Sequence, residues 1–315
     1  MTFVETAKNL LRPILPGPVR YALRKILNLR LHKLSSVEYW TRHNVTEHRQ
    51  FSSAEESRNF FDWRNAQYPG YIELIPVNKA DGKVVLDYGC GPGNDLVGFS
   101  IHSKPKRLIG VDVSTSSLAE AKKRLALHNA TNVELVHLSD PMGPLPFADQ
   151  SIDIVHCSGV LMVLPDIDKT LREFRRIIKP DGYSQIMVYN YDSIWMHLYC
   201  GYIYKKMFSW RASVSKQEIF KVTTDGEECP IVDCYTPDQF KAIAARNGFN
   251  CEFLGAAMSL NELMWMSRRA DALKDEALDP EAREFLLNLT FDERQFPLHR
   301  GAVAGIDACF KLTPA

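Results

Sequence analysis

Apolar positions follow two different periods along this chain, and the switch between them divides it. Up to about residue 80 they recur every three or four residues, the spacing of helices. Over 19–34, Val19, Ala22, Leu23, Ile26, Leu27, Leu29 and Leu34 share one face of a helical wheel. Arg20, Arg24, Lys25, Asn28 and His32 occupy the other, with Arg30 and Lys33 intruding on the apolar side. Ser52-x-x-Glu55 reads as a capping box opening a helix to about Arg64. From Lys83, short apolar runs alternate with helical stretches. Strands are predicted at Val84–Asp87, Arg107–Asp112, Val133–Leu138, Ile152–Ser158 and Ser184–Tyr189, with helices near Asp95–His102, Ser117–His128 and Ile167–Ile178. Ser117-x-x-Glu120 caps the second of those helices, and Lys179-Pro180-Asp181-Gly182 stops the third and turns into the fifth strand.

After Tyr191 the alternation gives way to an aromatic-rich stretch. It resumes at Thr236-Pro237-Asp238-Gln239, a capping box with proline at the first helical position, whose helix ends at Asn247-Gly248. Two last strands are expected near Cys251–Met258 and Ala302–Lys311, around a helical insertion at about Asn261–Leu289. The pattern predicts an α/β fold: a doubly wound, Rossmann-like seven-stranded mixed sheet with N-terminal helices and helical insertions. Residues 1–80 read as a helical arm and lid, 81–190 as the cofactor-binding core, and 191–315 as acceptor-side insertions whose last strands complete the sheet.

Composition changes this picture in two places. Formal charge is zero over 315 residues, so the molecule has no electrostatic reason to bind nucleic acid. Between Thr6 and Val37, however, seven Lys or Arg occur with no Asp or Glu. A basic amphipathic segment over 19–34 reads first as a helix docked on its own domain and, as the alternative, as a peripheral contact with a membrane. The seven cysteines are odd in number and scattered, which argues against a disulfide framework and for a reducing, cytoplasmic setting. Cys229-x4-Cys234 lacks the second pair that a zinc site wants, and no metal is expected.

The chemistry begins where the first strand runs into Asp87-Tyr88-Gly89-Cys90-Gly91-Pro92-Gly93. Glycines at this place let backbone approach a ligand at the carboxyl edge of the sheet. A dinucleotide fingerprint fails, because Asn94 stands where its third glycine belongs. Asp87 and Asp95 flank the turn; two carboxylates there repel a pyrophosphate and suit an ammonium and a sulfonium.

Val-Val-Leu-Asp-Tyr-Gly-Cys-Gly-Pro-Gly and, further on, Leu-Ile-Gly-Val-Asp-Val-Ser resemble the class I S-adenosylmethionine-dependent methyltransferases, especially the ubiquinone/menaquinone-biosynthesis and small-molecule branch. The resemblance covers about Lys83–Tyr189. It implies that Asp87, Gly89, Gly91 and Gly93 hold the methionine portion of S-adenosylmethionine, that Asp112 takes the ribose hydroxyls, and that Val113 packs on adenine. Asp140, before Leu145-Pro146-Phe147, resembles the family's adenine-binding stretch but stands seven residues before Phe147 where six is usual, so the backbone of Ser139 is an alternative. Met162-Val163 stands where relatives carry a His pair. Tyr68, in a stretch that relatives fold as a lid, is a candidate for a cation–π contact with the sulfonium.

Methyl transfer from a sulfonium needs mainly orientation and exclusion of water, with a base where the acceptor is a hydroxyl or an enol. Tyr191, His197 and His299 are the candidate catalytic or acceptor-contact residues. The leading reading is transfer to an oxygen of a small-molecule or glycan acceptor. The alternatives are C-methylation in quinone-type biosynthesis and a non-catalytic protein that binds S-adenosylmethionine. Oligomeric state is open.

Overall fold

A computed structural model of the chain describes residues 34–130 and 132–315. The amphipathic segment over 19–34 therefore lies outside the described residues except for Leu34. Seven strands form one sheet: β1 Val84–Tyr88, β2 Arg107–Asp112, β3 Val133–His137, β4 Ile152–Ser158, β5 Ile178–Tyr189, β6 Phe249–Ala257 and β10 Asp307–Pro314. Their order is β3-β2-β1-β4-β5-β10-β6. β1 to β5 run parallel, and β10 lies antiparallel between β5 and β6. Both faces are covered, as a parallel sheet requires. Successive residues of β1 show it: Val85 joins the apolar cluster of Leu96, Leu108 and Ile154, while Leu86 joins that of Ile109, Phe174 and Ile186 on the other face. The strand order reverses beside β1, so the crevice at its carboxyl end is where such a sheet binds ligands.

Several expectations shift in detail. The first lid helix, Ala54–Ala66, is capped by Ser53 rather than Ser52, and Glu56 rather than Glu55 receives the Ser52 amide, at 2.9 Å. The Thr115–Leu127 helix is capped by Ser114, whose hydroxyl accepts from Ser117 N at 3.1 Å. Either serine satisfies an orphan amide equally well, so spacing alone did not fix the register. β5 begins at Ile178, and the Lys179–Gly182 stretch loops out inside it: Ile152 pairs with Ile178 but Ile154 with Tyr183. A turn sequence here makes a bulge instead of ending an element. Ala302–Val303 is not the start of the last strand. It is β9 of a small antiparallel sheet with β7 Thr290–Phe291 and β8 Pro297–His299. The capping box at Thr236 and the proline start at Asp279-Pro280 stand as expected. The aromatic-rich stretch forms a π-helix, Trp195–Ile203, packed beside the helix Pro280–Leu287.

Candidate active site

The turn after β1 is held open by glycines with left-handed backbone, φ 74° at Gly89, 51° at Gly91 and 79° at Gly93. Two of them are also pinned by neighbours. A Cβ on Gly89 would lie 2.3 Å from Val160 Cγ2, and one on Gly93 would lie 3.0 Å from Ala121 Cβ. Gly91 faces open space. That space is a cavity of about 620 Å³ at the carboxyl edge of the sheet, with Gly89 and Gly91 in its wall.

Asp112 ends β2 on the same wall. It is buried, and its oxygens accept from Gly91 N at 2.8 Å and Ser114 N at 2.7 Å. The backbone amides thus aim the carboxylate; burial pushes its pKa up against their pull. Val113, Leu138 and Pro141 continue the wall as an apolar shelf. Ser139 and Asp140 are exposed between them and lie outside the wall, and Asp140 instead caps a local turn by accepting from Met142 N at 2.8 Å.

The two carboxylates flanking the turn have different fates. Asp95 is paired with Arg64 and accepts from His156 Nε2 at 3.2 Å; burial opposes ionisation, but these partners hold the carboxyl well below its usual range. The Gln185 amide donates to Pro76 O at 3.2 Å and to His156 Nδ1 at 2.8 Å, which leaves Nε2 as the ring's donor toward Asp95. Asp95 is therefore spent on internal partners, contrary to its expected role toward a cation. Asp87, beneath the turn, is not spent in this way: its Oδ2 has no hydrogen-bond partner among the described residues, and burial, which disfavours the ionised form until a cation lies beside it, pushes the carboxyl up to about 7. Arg64, half-buried in the cavity wall, also keeps one donor, Nε, without a partner among the described residues.

Across the cavity, Tyr68, Met187, Leu164 and Tyr189 form an amphipathic wall with Trp40 from the helix Ser36–Arg42. The Tyr189 hydroxyl donates to Asp225 Oδ1 at 3.3 Å, and the Tyr39 hydroxyl donates to the Asp225 carbonyl. Among the described residues, Asp225 Oδ2 is buried and without a hydrogen-bond partner, as is the Trp40 indole N–H. Burial pushes Asp225 up to about 6 and Asp307, also in the wall, up to about 7. Trp40, Asp225 and Asp307 were not among the residues singled out from sequence for the site, and Arg64 stood out only as part of the lid stretch. Only topology brings them in: Asp307 heads an antiparallel strand, and Asp225 ends the helix Lys216–Thr224 far along the chain.

The three candidate catalytic residues lie elsewhere. His197 sits on the π-helix, 1% exposed, stacked 4.1 Å from Phe285 and edge-on to Tyr191 at 5.2 Å. Neither of its ring nitrogens has a hydrogen-bond partner among the described residues, and burial pulls its pKa down to about 3. His299 packs against the same Phe285 at 4.7 Å. The Tyr191 hydroxyl donates to Glu281 at 2.9 Å. The packing of the π-helix against the helix Pro280–Leu287 turns all three away from the cavity, and of Tyr189 and Tyr191 it is Tyr189 that lines it. Tyr68 does line the cavity; Asp87 and Gly93 support the turn from behind. Cys229 and Cys234 are free thiols.

Residues 79–271 match the family described as a methyltransferase domain, which is more than half of the chain. The chain belongs to the S-adenosylmethionine-dependent methyltransferases. An uncharacterized methyltransferase of Schizosaccharomyces pombe is 35% identical over 125 residues, covering 38% of this chain and 44% of its own. A malonyl-[acyl-carrier protein] O-methyltransferase of Marinomonas is 33% identical over 138 residues, covering 43% and 48%. The methyltransferase thus spans less than half the length of these curated relatives. A solved S-adenosylmethionine-dependent methyltransferase from Mesorhizobium loti is 16% identical, with 77% of this chain and 96% of that one covered at a TM-score of 0.47.

The cofactor of this family carries a carboxylate, an ammonium, a sulfonium, a ribose diol and an adenine. The unpartnered Arg64 Nε and Asp87 Oδ2, the open face of Gly91 and the shelf at Val113 match those groups in charge and polarity.

Proposed function

We propose that this methyltransferase transfers the methyl group of S-adenosylmethionine to a hydroxyl oxygen of a small-molecule or glycan acceptor that carries an apolar portion. When bound, the cofactor supplies a methyl group already activated by its sulfonium. The chain's own work is to hold both partners and manage one proton. Asp112 accepts from the ribose hydroxyls, Arg64 binds the methionine carboxylate, and Asp87 supplies negative charge beneath the ammonium. Gly89, Gly91 and Gly93 admit the backbone to close range, and Tyr68 offers a ring face toward the positive sulfur.

One observation carries the choice of oxygen: Asp225 Oδ2, unpartnered and shifted to about 6, lies in the wall of the same cavity as the glycine turn. A carboxylate with that affinity for protons takes one from a hydroxyl while the oxygen attacks. The hydroxyl proton would pass to Asp225 Oδ2, while the bound cofactor would supply both the activated methyl group for the acceptor oxygen and the sulfur that leaves it. Trp40 N–H and Tyr189 OH orient the acceptor, and the apolar wall excludes water.

The test has two parts. Calorimetry should show S-adenosylhomocysteine binding and no NAD binding. Incubation with methyl-labelled S-adenosylmethionine and a panel of neutral alcohols, phenols and amines should label the hydroxyl compounds. Label on amines alone would overturn the choice of oxygen, and NAD binding without S-adenosylhomocysteine binding would overturn the cofactor assignment.

A further inference from the structure

Large apolar side chains are exposed at few places on the described residues, and they are unevenly spread. Val45, Trp63 and Leu260 stand at the cavity itself, and Met264 lies one turn beyond Leu260 on the same short helix, Leu260–Trp265. Trp63 is 55% exposed and Met264 63%. Two hydrogen-bonded elements hold this rim together: Leu260 N donates to Gln67 O at 2.9 Å, which fixes the short helix against the end of the Ala54–Ala66 helix carrying Trp63. Phe60 supports the Trp63 ring from behind at 5.5 Å. A tryptophan, a methionine and two aliphatic residues around the entrance of a binding cavity form an apolar patch with a function to explain.

The charges around it indicate what covers it. Arg42, Arg49 and Arg58 are exposed on the same segments against Glu47, Glu55 and Asp62, so the rim itself is balanced and the positive charge must come from the chain before it. The described chain starts at Leu34, immediately before the helix Ser36–Arg42 that walls the cavity. The residues before it contribute seven Lys or Arg and, between Thr6 and Val37, no acid. A basic stretch that ends at an apolar rim has the two components of a peripheral membrane contact: attraction to anionic headgroups and insertion of Trp, Met and aliphatic side chains at the interface.

We infer that the mouth of the active-site cavity docks on an anionic membrane surface, with Trp63, Met264, Leu260 and Val45 inserted among the lipids, so that an acceptor with a lipid-soluble portion enters from the bilayer. The acceptor half of this inference rests on the proposed methyl transfer; the docking half stands on the rim and the basic stretch alone.

Sedimentation of the full chain with vesicles tests the docking half directly. The protein should sediment with phosphatidylcholine vesicles containing one-third phosphatidylglycerol about tenfold more than with phosphatidylcholine alone, and high salt should abolish the difference. Trp63→Ser and Met264→Ser should each reduce binding to the anionic vesicles several-fold, while Leu287→Ser, an equally exposed apolar residue outside the rim, should not. The inference is overturned if the chain does not prefer anionic vesicles, if both rim variants bind as the unmodified chain does, or if Leu287→Ser costs as much. S-adenosylhomocysteine affinity, measured by calorimetry without vesicles, reports separately on the methyl-transfer reading, so the two failures are distinguishable.

Discussion

Gly91 and Asp112 are joined by a hydrogen bond of 2.8 Å from the amide of the glycine to the carboxylate of the aspartate. The glycine turn after β1 and the acid at the end of β2 therefore form one unit, in which this amide, together with that of Ser114, fixes the direction of the carboxylate before any ligand arrives.

Asp112→Ala removes the carboxylate and its aim together. S-adenosylhomocysteine binding should weaken by roughly 1.5–3 kcal/mol, the range for hydrogen bonds to a charged group. Calorimetry of the variant checks this, and an unchanged affinity would place the ribose contact elsewhere.

Asp225→Asn keeps the shape of the acceptor wall but cannot take a proton at neutral pH. Turnover should fall by about a hundredfold or more, within the range attributed to general bases, with S-adenosylhomocysteine affinity unchanged. In the unmodified enzyme, the pH profile should lose activity below about 6 as Asp225 becomes protonated, and that limb should disappear from the residual activity of the variant. A retained limb would assign the proton to another group, Asp307 first.

His197 provides the opposite case. A buried imidazole with neither nitrogen partnered carries a desolvation cost that an apolar ring of similar shape avoids. His197→Phe should leave the melting temperature unchanged or raise it, and should leave turnover intact. Loss of turnover without loss of stability would return His197 to the catalytic machinery.

Four buried carboxyls make stability depend on pH in an unusual direction. Burial pushes Asp87 and Asp307 up to about 7, Glu262 up to about 8 and Asp225 up to about 6. A carboxyl whose folded value lies above its unfolded value favours the fold while protonated, and that contribution is lost as pH rises through the folded value. His197, lowered from 6.5, acts in the other sense, adding stability as pH rises, but only up to its ordinary value. Between about 6.5 and 8, then, the ligand-free protein should lose melting temperature as pH rises. Glu262→Gln should flatten that slope, since Glu262 is fully buried where its carboxylate accepts from Ser259 N at 2.8 Å and Trp195 N at 3.0 Å. A thermal melt series across this window decides it.

The parts of the site that were readable in advance are those set by local chemistry. Glycines at positive φ, an acid at the end of a strand and a proline-started helix each announce themselves within a few residues, and β1, β2, β4 and the Thr236 cap lie where pattern put them. What failed was long-range. Nothing near Tyr191 says that the π-helix after it would pack on Phe285 and turn His197 inward, or that Tyr189 would be the residue left facing the cavity. Arg64 was visible as a lid residue, but its pairing with Asp95 crosses from one helix to the start of another. Asp225 follows an ordinary helix end, and only the fold brings it to Tyr189. The Lys179–Gly182 bulge shows the converse error, in which strong turn chemistry was absorbed inside a strand.

The place of β10 between β5 and β6 has a consequence for how the molecule is made. As the chain leaves the ribosome, β1 to β5 can assemble in order, but β6 has no partner until the whole 260–303 stretch has followed it and β10 can slide in between. Until then β5 and β6 both present open edges, the state in which strands pair wrongly with other chains. Asp307 arrives with that late strand, so the acceptor side of the cavity is completed last. A nascent chain stalled before β10 should therefore already hold the cofactor turn in folded form while still lacking the wall on which chemistry depends.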